Sequence, residues 1–442
     1  MQSTTLLISV IACVLILVSR PIYALAIYIG VLLLYPSYLV ITLGTIDISV
    51  GRFAVGVLLL RCFLDTKIRS QFLWSGMDTL VTLSMLVYVT VFSIALPLPV
   101  ALESQSGFLM DTWFAYMVAR FIITDQSKLV TFTKVIGIVL IPLAIIGVYE
   151  SITGCQIFFL LRRFCPWIGA IHESYEPRFG FYRAVGPFNH PILFGGVFAI
   201  FLPFLYYLRY QRDSWHTLGY VFTVVALIGA MSSVSAGSWV MVIIILLALA
   251  MEQQKHWVKP LLLAFVALCV LIGVASNRPF YHVLVSYLNP LGGTGWHRAK
   301  LLDVAIMHIN EWWLSGYGDQ DPGWGHYLGM GRTDITNQFI LAGVKYGIWG
   351  VIALCSVLVA TFRGLSRAYK RSINPEMKSL YWFLGALMFS VAVTWFSVTF
   401  FGQLESIFYF VLGIIASSIS LSFQRLSDRC CVMPAVNATI AQ

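Results

Sequence analysis

Eight cations stand in two long polar stretches of the chain. Arg162, Arg163, Arg178 and Arg183 fall within 153–190, and Arg278, Arg298, Lys300 and Arg332 within 276–335. Seven of the eight are arginine, whose planar fork grips two oxygens of a phosphate or diphosphate at once. One chemistry for such a set is an anion site. The other is local neutralisation by Glu173, Glu176, Asp303 and Asp319, a reading that suits Arg162 and Arg163 best. Two segments concentrate the first reading. In Arg183-Ala-Val-Gly-Pro-Phe-Asn-His-Pro, residues Gly186, Pro187 and Pro191 force a defined turn. That turn would hold Arg183 and Asn189 at the mouth of the apolar run beginning at 191. The second segment, Asp334-Ile-Thr-Asn-Gln, leads into the run 336–362. Asp334 or Thr336 is the expected N-cap, and Asn337 falls in the first turn, where a helix N-terminus favours anions. Lys345 lies two turns further in, as a functional intramembrane charge or as a side chain snorkelling to the interface.

The elements that must position these residues are set by composition. Of 442 residues, 59% are hydrophobic and 11% charged, and mean hydropathy is +0.85. Ordinary soluble domains carry about 25% charge. The balance excludes a soluble globular enzyme, a disordered chain and a disulfide-stapled secreted domain. It also argues against nucleic-acid binding despite the net charge of +9. Thirteen apolar runs stand out, and the sequence predicts an all-α polytopic membrane bundle of about 12 helices, between about 10 and 14, from the roughly 20 residues that a span needs. All spans are expected to be helical, because backbone polar groups in lipid must pair within the segment. The division expected is 1–152 N-terminal transmembrane helices, 153–190 first long loop, 191–275 central helices, 276–335 large loop with short helices, 336–423 C-terminal helices and 424–442 tail. The stretch after 362 holds Arg363, Arg367, Lys370, Arg371 and Lys378, so it is placed in the cytoplasm. Alternation then puts Arg20, Arg61, Lys67, Arg69, Lys128, Lys134, Arg209, Arg212, Lys255 and Lys259 on the same side. Both long loops fall outside, where Cys155 and Cys165 could form a disulfide. The histidines at 282, 297, 308 and 326 match no zinc spacing, and no metal site is expected.

The two segments, in this order, resemble the O-antigen ligase/O-antigen polymerase superfamily of membrane glycosyltransferases. The resemblance covers roughly 180–360. It rests on Arg183, Gly186 and Pro191 in an R-x-x-G-x-x-x-x-P pattern, then on Arg298 beside Trp296 and His297 in the large loop. It closes on Thr336-Asn337 with Gly343, Gly347 and Gly350. It implies transfer of a glycan from an undecaprenyl-diphosphate-linked donor to a glycan or lipid acceptor hydroxyl, without cofactor or metal. The place implied is the periplasmic face of a bacterial inner membrane, with other polysaccharide-assembly proteins as candidate partners. Arg183, Arg298 and Lys345 would hold the diphosphate, with Gly186, Asn189, Thr336 and Asn337 supporting. The position of the family's proposed base, a His, is Thr336 here, and threonine accepts no proton near neutral pH. Asp334, then His326 and Asp319, are the replacements; each also reads as a cap, a surface residue or a turn former, as Asp321 does. The missing His tilts the expectation from ligase to polymerase. Exposed tryptophans among 296, 312, 313 and 324 could stack on sugars. The rival class is a transporter or lipid-linked glycan flippase, which would carry more charge inside its spans than Arg120, Lys345 and Glu405.

Overall fold

Continuous apolar runs bounded by caps and prolines fold as helices. The computed structural model describes residues 1–44, 46–165, 176–212, 214–277, 279–287 and 295–432. In chain order the helices are α1 (Gln2–Val18), α2 (Pro21–Leu34), α3 (Val50–Leu64), α4 (Thr66–Gln71) and α5 (Gly76–Ala95). Then α6 (Leu98–Leu109) runs through a π-helical turn, Met110–Phe114, into α7 (Ala115–Ile122). The helices α8 (Gln126–Thr153), α9 (Pro191–Tyr207), α10 (Ser214–Ser232), α11 (Ala236–Ala250) and α12 (Val258–Ala275) follow. The large loop carries α13 (Phe280–Tyr287), α14 (Gly295–Met307) and α15 (Ile309–Trp312). The chain ends in α16 (Gln338–Arg371), α17 (Pro375–Thr394) and α18 (Gln403–Val432). Among the described residues nine helices are long and apolar enough to cross a membrane: α5, α8 to α12, and α16 to α18. Of two shorter apolar helices, α2 packs on α8 and α18, and α1 on α2 and α3.

The expectation that every apolar run is helical fails at one place. Within 40–49 the chain forms an antiparallel hairpin, β1 (Val40–Leu43) with β2 (Ile46–Ser49). Its β-branched residues favour strands, and Gly44 supplies the positive φ of 68° that turns the chain.

α9 is the central pillar, with 89% of its span buried inside the protein. Pro191 starts it without forfeiting an amide bond, and His190 caps it by accepting from the Ile192 amide at Nδ1 (3.1 Å). Gly195 lies so close to Ser233 and Ser238 that a Cβ would sit 2.4 Å from the Ser233 hydroxyl. The outlier is α12, none of whose span is buried.

Hydrogen bonds sort the connections into two ends. At one end Tyr38 donates to the Phe158 carbonyl, Ser104 to Asp319, the Asn337 amide to the Phe396 carbonyl, and the Gln403 amide to the Leu32 carbonyl. Both long loops belong here. At the other end Gln126 bonds Tyr207, Tyr210 bonds Ser379, Lys255 bonds Tyr369 and Arg61 bonds the Ile16 carbonyl. The short basic connections gather there.

The large loop has its own small core. Leu301, Val304 and Ala305 of α14 pack with Trp324, Leu328, Ile340 and Val344. α16 breaks where this unit docks: Gly347 has φ 64° and ψ −164°. The Tyr317 amide donates to the Val344 carbonyl (2.6 Å) and the Ile348 amide to the Trp313 carbonyl (2.7 Å). The break frees helix backbone for loop backbone, and the glycine run serves that approach. A Cβ at Gly343 would meet the Trp312 ring at 2.5 Å, and one at Gly347 the Leu314 carbonyl at 2.5 Å.

Candidate functional site

The segment 183–190 is held by a residue of the α8 span. Glu150, 1% exposed, accepts from the amides of Val185 and Gly186 (2.8 Å each) with one oxygen and from Ile157 (3.0 Å) with the other. The Ala184 amide donates to the Ser232 carbonyl (3.1 Å). Gly186 turns with φ 54° against the Phe194 ring. Arg183 and Asn189, both half-buried, therefore stand on a rigid turn at the mouth of α9. Just before it, Arg178 and Phe181 exchange two backbone hydrogen bonds in a tight loop.

Arg298 is half-buried on α14. Burial and then the neighbouring Arg178 push its guanidinium below the ordinary arginine value; it stays charged. Among the described residues neither side chain has a hydrogen-bond or ion-pair partner. Two of the acids expected to neutralise the loops are taken elsewhere: Asp303 bonds Tyr281 and His282 (2.9 Å each), and Asp319 bonds Lys345 (2.8 Å) and Ser104 (3.1 Å), while Glu176 is exposed. Glu173 and Arg278 lie outside the described residues.

His297, beside Arg298, is 7% exposed, and its buried Nε2 has no hydrogen-bond partner among the described residues. Buried polar atoms are seldom left so. Burial pushes this imidazole below its usual range, Asp334 acts against the shift and Arg298 adds to it. His297 is therefore neutral at pH 7, with Asp334 within electrostatic reach. The Thr336 hydroxyl nearby in sequence is also buried without a partner. These couplings join the loop before α9, α14 and the lead-in to α16 at one end of the bundle.

Other expected site residues are placed differently. Asp334 is exposed and does not cap α16, nor does Thr336; buried Asn337 caps it, accepting from the Phe339 and Ile340 amides (2.9 and 3.1 Å). Lys345 and Asp319, both partly exposed, pair with each other (2.8 Å). His326 is exposed, its Nδ1 donating to the Gly323 carbonyl (2.8 Å). Asp321 accepts from the Gly323 and Thr333 amides, the work of a turn former. Trp324 is buried in the loop core, and Trp312 lies on Gly343, so neither offers a face to a sugar; Trp296 and Trp313 are exposed. Cys155 stands free, and no disulfide joins it to Cys165.

The sequence reading gave Glu150 no role, named His297 beside Arg298 without a role of its own, and counted Arg120, Lys345 and Glu405 inside spans without Asp78, Asp111 and Arg52. Arg120 and Asp78 form a buried pair (2.6 Å) completed by Tyr116 and Ser417, and Arg52 grips Asp111 at the π-helical turn (2.6 Å). Glu405 lies within electrostatic reach of Lys345, Asp111 and Arg52. The signal available was a lone acid within an apolar run, as at Asp78, Asp111 and Glu150. Comparison with protein-family models and with curated proteins finds no match for this chain.

Proposed function

We propose that the protein is a membrane glycosyltransferase of the O-antigen polymerase or ligase kind, transferring glycan from an undecaprenyl-diphosphate-linked donor to an acceptor hydroxyl. The observation that carries this is the uncompensated Arg298–Arg178 couple beside a neutral, unsatisfied His297. In this reading His297 Nε2 takes the proton of the acceptor hydroxyl. The freed oxygen bonds to the anomeric carbon as that carbon's bond to the diphosphate oxygen breaks. Arg298, Arg178 and Arg183 stabilise the charge that grows on the leaving diphosphate, and Asp334 stabilises the imidazolium. His297 thus takes the role first assigned to Asp334, which becomes its partner; Lys345 and Asp319 leave the site. The end carrying the long loops is periplasmic and the basic end cytoplasmic, by the usual charge bias. With α1, α2, α3 and the α6–α7 composite counted beside the nine long helices, the chain alternates sides so as to keep that bias throughout.

The transporter reading gains from the intrahelical pairs Arg52–Asp111 and Arg120–Asp78. Both are closed ion pairs, however, and the uncompensated Arg298–Arg178 couple lies in the loops. Purified protein supplied with radiolabelled donor and acceptor, in detergent and without a gradient, separates the two. Glycosidic bond formation supports the enzyme; donor that crosses a vesicle membrane unaltered supports the rival.

A further inference from the structure

At the basic end, opposite the proposed site, a groove of about 880 Å³ opens between α5, α16 and α18. Its floor is apolar, with Leu80, Ile352, Val359 and Ile419 among the lining residues. It follows α16 from Ile352 to Arg367, about 22 Å at 1.5 Å per residue, against about 15 Å for the hydrocarbon of one leaflet. Gly364 lets α16 and α18 meet closely at its base, where a Cβ would lie 2.7 Å from Ile419. At the mouth stand Arg363 and Arg367, one turn apart on the same helix, both exposed and neither hydrogen-bonded nor ion-paired to a described residue. No carboxylate is among the described residues that line the groove. Trp74, 52% exposed, stands at the same mouth, a residue suited to headgroup depth.

We propose that this groove is a binding site for an acidic phospholipid, whose phosphate-bearing headgroup lies against Arg363 and Arg367 and whose chain lies along the apolar floor. Charge complementarity selects the occupant: two unneutralised arginines over an apolar channel match an anionic head on an apolar tail. The same arginines that orient the chain thus also hold a lipid. The site lies away from Arg298 and His297, so it stands or falls independently of the glycosyl-transfer reading.

The test is native mass spectrometry of the full-length protein released from mixed micelles of phosphatidylglycerol and phosphatidylcholine. Wild type should retain phosphatidylglycerol at least about tenfold over phosphatidylcholine. Arg363→Gln/Arg367→Gln should bring the ratio to within about twofold. Arg69→Gln/Lys259→Gln, which removes two charges from the same end outside the groove, should keep it. Thermal unfolding of each variant in neutral detergent confirms that all three proteins are folded. No preference in wild type, or an undiminished preference in the groove variant, overturns the proposal. So does displacement of phosphatidylglycerol by inorganic phosphate, or a stronger preference for undecaprenyl phosphate at these arginines.

Discussion

Arg298 and His297 are sequence neighbours with opposite electrostatic problems. Among the described residues one is a charge without a counter-ion, and the other a neutral base whose Nε2 has no hydrogen-bond partner. A diphosphate and a hydroxyl, brought together, answer both. Arg298→Ala should lower turnover about 100- to 1,000-fold, the scale of losing one electrostatic stabiliser, measured as glycan formed by purified protein. His297→Asn should lower it about 100- to 10,000-fold, the scale of a general base. Its pKa is depressed in the fold, so the base form persists below the ordinary imidazole value of about 6.5. Turnover should therefore be flat around pH 7 and fall only as pH drops through the lower, folded value. The same burial makes the neutral form a stabiliser above the unfolded pKa, and that stability is lost as pH falls. A rate that drops already between pH 7.5 and 6.5 would contradict this assignment. Arg183 and Arg298 were legible in the sequence because arginine in a loop expected to lie outside breaks a bias. His297 was not, because its distinction is burial of one nitrogen. Nor was the Lys345–Asp319 pair, whose members are 26 residues apart.

Two elements hold the site, and each rests on one residue. Glu150 satisfies three amides across the gap between α8 and the turn before α9. Glu150→Ala leaves the Val185 and Gly186 amides buried without acceptors, at about 1–3 kcal/mol each when water cannot replace it. A loss of at least about 2 kcal/mol in thermal or denaturant unfolding is expected, with loss of activity. Gly347→Ala forces a side chain into a conformation reserved for glycine, at about 1–3 kcal/mol, and onto the Leu314 carbonyl. It should loosen residues 312–317, read as faster proteolysis of the large loop while the membrane helices stay protected. Wild-type resistance in this variant would count against the docking role. Most helices were legible as apolar runs. The hairpin at 40–49 was not, since a short β-branched run has no helix or strand period of its own. The break in α16 was hidden because its cause is the loop that docks there.

At the scale of the molecule, hydrogen bonds divide the bundle into a loop end and a basic end, which the proposed topology places in periplasm and cytoplasm by charge bias. A variant keeping Cys155 as its one cysteine should react with an impermeant maleimide in intact spheroplasts. One whose single cysteine comes from Ile373→Cys should react only after permeabilisation. The reverse pattern would invert the topology. Charge scarcity made the class and the two ends legible from composition. It did not reveal the closed ion pairs inside the bundle, because pairing across helices depends on packing. The most direct test of glycosyl transfer is incubation of purified, detergent-solubilised protein with radiolabelled undecaprenyl-diphosphate-linked glycan and acceptor, with wild type, Arg298→Ala and His297→Asn compared. Longer glycan with release of undecaprenyl diphosphate is expected from wild type, and at most about 1% of that from either variant. Equal product from the variants, or none from folded wild type, would contradict the assignment.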